Sequence, residues 1–234
     1  MEIENRLHQI ELMPFCEERI KLTEDLFHIS FWNLMNTSQK IRLLQLLENN
    51  LSALQGKTPS MIYVVAKLPH MAKASYFTHK IRISEWHLEY GLTYLKEMNA
   101  QMYCAILHEH EHMGQFDDID SEKNDETTEI FRKNIANMLP YDDKTVSGYV
   151  EYRFQPIEYY AHKISEEGTI KAFKRLEQDF GKDQGFETWF DAISSASIDN
   201  LVELYNEEYA CNFSFDEIYQ NVVKKISEFS KKRK

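Results

Sequence analysis

Five consecutive residues, His108-Glu109-His110-Glu111-His112, bring three imidazoles and two carboxylates into one short stretch of chain. On an α-helix, positions four apart share a face, so His108 and His112 can turn two ring nitrogens toward one metal ion while Glu109 lies beside it. The chemistry offered by this spacing is hydrolysis. A Zn²⁺ ion held by three protein groups, with one position open, lowers the pKa of its water to about 7, and a neighbouring carboxylate can take the proton as that water attacks a carbonyl. His108 and His112 are therefore the expected metal ligands, and Glu109 the expected general base. The plainer alternative is a solvated helix face with locally satisfied histidines. Against it stand the preceding residues, Met102-Tyr103-Cys104-Ala105-Ile106-Leu107, which are almost wholly apolar. A helix apolar on most sides is buried. Histidines and glutamates at the end of such a helix are costly unless something pairs with them, and a metal is the economical partner.

A catalytic zinc needs a third protein ligand, and three residues compete for the role. Pro156 is favoured at the first position of a helix, which puts Glu158 in the first turn and His162 one turn later on the same face. Asp118 lies ten residues after His108, where a compact class of zinc proteases places its last ligand. That class also needs a glycine seven residues after its first histidine, and here that position is Gln115, with Gly114 one place early. A developing oxyanion further needs a donor, and His162, Tyr152, Tyr159 and Tyr160 are candidates. The three tyrosines serve equally well as core aromatics in a chain that has thirteen. On a regular helix His110 and Glu111 point away from the metal. Gln115 shares the broad face of His108 and could hydrogen-bond a ligand, whereas Cys104 reads as a small buried apolar residue. His8, His28, His70, His79 and His87 show no metal spacing among themselves.

The elements that must position these groups follow from periodicity. Phe15 to Met35 has helical spacing, and a second helix opens at Thr37-Ser38 and closes at Gly56, with a broad apolar stripe over Ile41–Leu54. Met61–Leu68 has the β-branched and aromatic content of a buried strand. After a loop from Pro69, Ser75–Thr78 and His79–Ile83 read as a further strand or pair, Ile81 and Ile83 alternating with Lys80 and Arg82. Ser84 caps a short stretch interrupted by Gly91, and Thr93 is expected to begin the long helix carrying the histidines. Asp117–Glu126 is acidic and reads as an exposed connection. Thr127–Leu139 recovers a helix stopped by Pro140, Tyr141–Gly148 reads as a loop, and Tyr149–Gln155 leads into Pro156. From Ser165 to Lys234 the pattern is helical, broken by Gly181 and Gly185.

Composition narrows the class. The 234 residues, 43% hydrophobic, are enough for one substantial core, and no apolar run reaches 18 residues. The N-terminus lacks the basic start and apolar stretch of a signal peptide, so a soluble, cytoplasmic protein with no membrane partner is expected. Three widely spaced cysteines, Cys16, Cys104 and Cys211, fit neither a disulfide framework nor a cysteine zinc site, and suit a reducing compartment. A net charge of −11 opposes nucleic acid as the primary partner. The basic end, Lys224, Lys225 and Lys231-Lys232-Arg233-Lys234, reads as a solvated terminus.

His108-Glu109-x-x-His112 with a distant Glu158 opening a later helix resembles the zincin metallopeptidases, specifically their gluzincin branch. The run of a strand near Ser75–Thr78, then Ile81–Ser84, then the motif helix is similar to the zincin core, in which an edge strand borders the cleft and holds an extended peptide. Glu158-Tyr159-Tyr160-Ala161 resembles the small intracellular metallopeptidases that cleave or sense regulatory proteins. The chain departs from the common gluzincin pattern in lacking an Asn-Glu or Glu-x-x-x-Asp signature in the second helix, so Glu158, His162 and Asp118 all stay open as third ligand. The resemblance covers roughly residues 61–162. It implies an α+β, mainly α fold: a zincin-like core with a small β-sheet and an active-site helix over 59–165, flanked by helical regions 1–58 and 166–234, the whole packed as one compact unit. It implies Zn²⁺ as cofactor, a peptide or protein as substrate, His108, His112 and Glu158 as ligands, and Glu109 as the group that polarises the water and hands its proton to the leaving amine. The competing expectation is a catalytically silent zincin-fold binding or regulatory protein, of mobile-element or phage origin. The Ile41–Leu54 stripe and the featureless last third would suit that role.

Overall fold

The computed structural model describes residues 2–66, 68, 71–75, 78–89, 98–121, 125–142 and 144–232. The Gly91 interruption, the expected helix start at Thr93, the loop opening at Pro69, the centre of the expected strand at Tyr76 and Phe77, and Arg233-Lys234 of the basic tail lie outside them. The described chain is rich in helix with one small sheet, and its contacts divide it into two compact units. The first comprises Met1–Met113 with Ile164–Asp191, the second Gly114–Lys163 with Ala192–Lys234.

The first unit opens with α1 (Glu2–Leu12), whose Ile3, Leu7 and Ile10 recur at helical spacing and are buried. The sequence suggests one helix over Phe15–Met35. Instead the chain forms α2 (Glu17–Asp25) and a single turn, α3 (Ile29–Trp32), separated at His28. The break has a long-range cause. The buried Asp183 carboxylate accepts the Ile29 amide at 2.8 Å, so that donor is satisfied from outside the helix, and the His28 ring bonds the Gly181 carbonyl at 3.1 Å. Helix α4 (Thr37–Leu54) starts as its sequence indicates, with Asn36 and Gln39 forming a capping box, and Gly56 follows at φ +66, the left-handed exit that glycine adopts without strain.

Three strands follow, β1 (Met61–Val65), β2 (Ala72–Ser75) and β3 (Lys80–Ser84), in the order β1-β3-β2. β1 pairs parallel with β3, and β2 antiparallel, with Ala72 opposite Ile83 and Ala74 opposite Ile81. β2 thus lies earlier than the expected Ser75–Thr78, because its pairing is fixed by the alternation of Ile81 and Ile83, both fully buried. The outer edge of β1 is closed by one side chain. Gln45 of α4 accepts the Ile62 amide at 2.8 Å and donates to the Ser60 carbonyl at 2.9 Å. α5 (Glu85–Glu89) follows β3 directly.

α6 (Asn99–Asp120) carries the pentapeptide, and α9 (Pro156–Phe180) carries Glu158 and His162; the division between the units falls inside both helices. α6 runs further than the sequence suggests, absorbing Asp117–Asp120, since acidic residues do not by themselves stop a helix. The core of the first unit is an aromatic series, Phe27–Tyr103–Phe173–Phe186–Trp189, its successive ring centroids 5.0–5.9 Å apart. α10 (Gln184–Ser195) contributes Phe186 and Trp189, and Gly185 lies within it instead of breaking it.

In the second unit, α7 (Glu126–Ala136) is capped by Asp125, and α8 (Val146–Arg153) by Thr145, so the loop expected to run to Gly148 ends three residues earlier, at Thr145. α11 (Ile198–Tyr209) packs on α8, and α12 (Phe215–Lys232) on α7. Their shared core is Leu139, Val150, Phe154, Leu201, Tyr205, Ile218, Val222 and Ile226.

Candidate metal centre

α6 buries residues around its whole circumference: Ala100, Met102, Tyr103, Cys104, Ile106, Leu107 and Met113. Hydrophobic burial therefore does not by itself choose which side of this helix faces where. Polar pins make that choice. Asn99 donates to the Phe27 carbonyl and to both oxygens of Asp183, and the Tyr103 hydroxyl donates to Glu24 at 3.1 Å. Burial, reinforced by the Glu24 carboxylate, pushes the Tyr103 phenol well above its ordinary pKa, so it remains a donor. Further along, His110 bonds Glu48, and the Gln115 amide donates to the Ile157 carbonyl at 3.0 Å.

With the helix so held, the two motif imidazoles meet. His112 Nε2 lies 3.0 Å from His108 Nε2, the rings edge to face. A ring nitrogen of His108, a carboxylate oxygen of Glu158 and a ring nitrogen of His162 also lie within 4.8 Å of one another, a group that could hold a metal ion. His112 adjoins this trio through His108. Glu158 is buried, while His108, His112 and His162 are half-buried, so the imidazoles retain access to solvent.

The donor set can be tested against a metal. Imidazole nitrogens with one carboxylate oxygen are the ligands of catalytic zinc. At bond lengths near 2.1 Å, two ligand atoms on one tetrahedral ion stand roughly 3.4 Å apart. The 3.0 Å of the two motif nitrogens is already close to that, and the 4.8 Å spread of the trio exceeds it by about 1.4 Å. The residues present fit a metal ion in type, and the trio stands wider than the spacing around a bound ion. Comparison with protein-family models, curated proteins and solved structures returns no match to this chain.

The remaining expected site residues are placed as follows. Glu109, buried, accepts a hydrogen bond from the Ala74 amide of β2. In the antiparallel ladder, Met71 faces β3, accepting from Ser84, so alternation turns the backbone groups of Ala72 and Ala74 toward the outer edge. Asp118 lies in α6 and is not part of the trio. Tyr152 sits in α8 with its ring against Tyr141, 5.0 Å between centroids. Tyr159, half-buried, packs on Phe215 and Tyr219, and Tyr160, exposed, sets its ring against Phe131. Cys104 is buried, and no cysteine forms a disulfide.

Sequence reasoning passed over the residues that hold the start of α9. Asn134 accepts the Ile157 amide at 3.0 Å and donates to Gln155 at 2.9 Å, while Gln155 accepts the Leu139 amide at 2.7 Å and donates to the Leu139 carbonyl at 3.1 Å. Both amide side chains are fully buried. Two buried polar residues flanking Pro140 and Pro156 were the available signal, since buried amides must find partners.

Proposed function

We propose that this chain is a zinc-dependent peptidase with a zincin-like core. The observation that carries the reading is the meeting of the two motif imidazoles, Nε2 to Nε2 at 3.0 Å, on a helix whose orientation is set by polar pins. Glu158 and His162, within 4.8 Å of His108, supply the further ligands. Zinc, when bound, polarises a carbonyl and makes water acidic near neutral pH. The protein's own residues do the rest. His108, His112 and Glu158 would hold the ion as two neutral imidazoles and one carboxylate. Glu109 takes the proton of the attacking water and passes it to the leaving amine, as a general base and then acid. His162 either completes the ligand set or donates to the developing oxyanion. An extended peptide pairs with the outward backbone groups of Ala72 and the outward carbonyl of Ala74, whose amide Glu109 holds, which gives affinity without demanding a particular side chain.

The experiment is metal analysis of the purified chain together with a casein-like substrate. One equivalent of zinc, lost in H108A and E158A, with cleavage abolished by E109Q at unchanged fold, upholds the reading; a wild type that retains no zinc refutes it. A second reading, a zincin-fold binding protein without turnover, draws on the bond that already engages Glu109 with Ala74. Stoichiometric zinc with no cleavage of a diverse peptide library favours that one.

A further inference from the structure

The central histidine of the pentapeptide is used differently from its neighbours. His110 is buried, and its Nδ1 lies 2.9 Å from Oε2 of Glu48, which is 1% exposed. The second oxygen of the same carboxylate accepts the Ser60 amide at 2.9 Å and the Ser52 hydroxyl at 3.0 Å. One buried carboxylate thereby ties together α4, the residue that enters β1, and α6. With its other oxygen occupied by donors, Glu48 is an acceptor toward His110, so Nδ1–H donates. On α6, His110 is two residues from both His108 and His112, about 200° around the helix from each. Fixing His110 on one side therefore aims His108 and His112 to the other.

We propose that Glu48 is a positioning residue for the metal centre: acting through His110, it fixes the rotation of α6 about its axis and so presets the two motif imidazoles before metal arrives. This rests on the metal-centre reading above. This pin lies inside the pentapeptide, as does the bond of Glu109 to Ala74, and there a small rotation displaces the ligand nitrogens most directly. Preset ligands bind more tightly because less conformational freedom is lost on coordination. The arrangement resembles the outer hydrogen bonds that orient ligand histidines, but it acts through the helix instead of through the ligand ring.

The test measures the zinc dissociation constant by chelator competition, and the ligand-field spectrum of the Co²⁺ form, for wild type, E48Q, H110N and H110L. In E48Q the amide sets a donor against Nδ1–H, and in H110L the donor is gone. In both, zinc affinity falls on the order of 10-fold, the loss typical of outer-shell partners, and the Co²⁺ bands change. H110N carries an amide nitrogen close to the place of Nδ1, restores the donor to Glu48, and keeps affinity near wild type. The H110N and H110L pair decides the matter even if E48Q does not fold. Wild-type zinc affinity and Co²⁺ spectrum in H110L, whatever its melting temperature, overturn the proposal while leaving the metal centre standing. A wild type that binds no zinc instead brings down the metal-centre reading itself.

Discussion

Replacing Asn134 by leucine, which keeps the same branched skeleton of heavy atoms, should be far more damaging than an ordinary substitution, because Asn134 makes two buried hydrogen bonds. Its carbonyl oxygen accepts the Ile157 amide, one of the first-turn donors of α9 that have no partner within the helix, and its amide nitrogen donates to Gln155. Leucine orphans the Ile157 N–H, at about 1–3 kcal/mol, and forfeits a second bond of about 1 kcal/mol. Gln155 keeps the Leu139 amide and so is not itself orphaned. The sum, about 2–4 kcal/mol, corresponds to a fall in melting temperature of roughly 4–16 °C for a domain of 150–250 residues. Asparagine to aspartate separates the two bonds. N134D keeps an acceptor for Ile157 but sets a carboxylate oxygen against the oxygen of Gln155, and Gln155 cannot turn over without losing both bonds to Leu139. Its deficit relative to wild type should shrink as pH falls, because a protonated aspartate can donate where asparagine did. The assay is thermal unfolding of the chelator-treated protein at pH 7 and at mildly acidic pH. An N134L melting temperature within a degree of wild type would refute the reasoning, as would a pH-independent N134D deficit.

Zinc at 100 times its dissociation constant should stabilise the chain by about 2.7 kcal/mol, seen as a raised melting temperature that H108A abolishes. A Cβ on Gly168 would lie 2.7 Å from Leu107 Cδ2, so G168A should gain little or lose slightly in the wild type. In an L107A background the same change should gain about 1 kcal/mol, the helix preference of alanine over glycine, and equal effects in the two backgrounds would show that the contact does not matter. Burial lowers the His87 pKa from 6.5, so below that pH the unfolded chain takes up the proton first and the stability that neutral His87 contributes drains away. H87Q should therefore show a flatter fall of melting temperature than wild type as pH drops from about 6.5 toward 5, and parallel curves would exclude this role.

What the sequence made legible was local. The four-residue spacing of His108 and His112 put both rings on one face, Pro156 marked the start of α9, and that start put Glu158 and His162 one turn apart. The opening of α4 at Thr37 and the alternation of Ile81 and Ile83 were equally readable. What stayed hidden depends on partners far along the chain. The break at His28 is held by Asp183, 154 residues away for the Ile29 amide, and the rotation of α6 by Glu48, 62 residues from His110. Helical periodicity carries no trace of either, because a buried carboxylate looks in the sequence like any surface glutamate or aspartate. The acidic run Asp117–Asp120 misled for the opposite reason: polarity was taken as a break, while the helix continued through it.

The width of the sheet is decided by side chains. On the β1 rim, Gln45 offers one carbonyl and one amide in the places where a fourth strand would present its backbone, so the start of that rim is already paired. On the β2 rim the carboxylate of Glu109 accepts the Ala74 amide but cannot donate. Among the described residues, one rim therefore has a side chain pairing an amide and a carbonyl, and the other a carboxylate pairing an amide. Under the peptidase proposed above, this asymmetry would give the sheet a direction of growth, favouring an incoming extended segment beside β2, next to the pentapeptide. Loss of Gln45 would remove that directionality and leave a three-stranded sheet that neighbouring copies could extend from the wrong side.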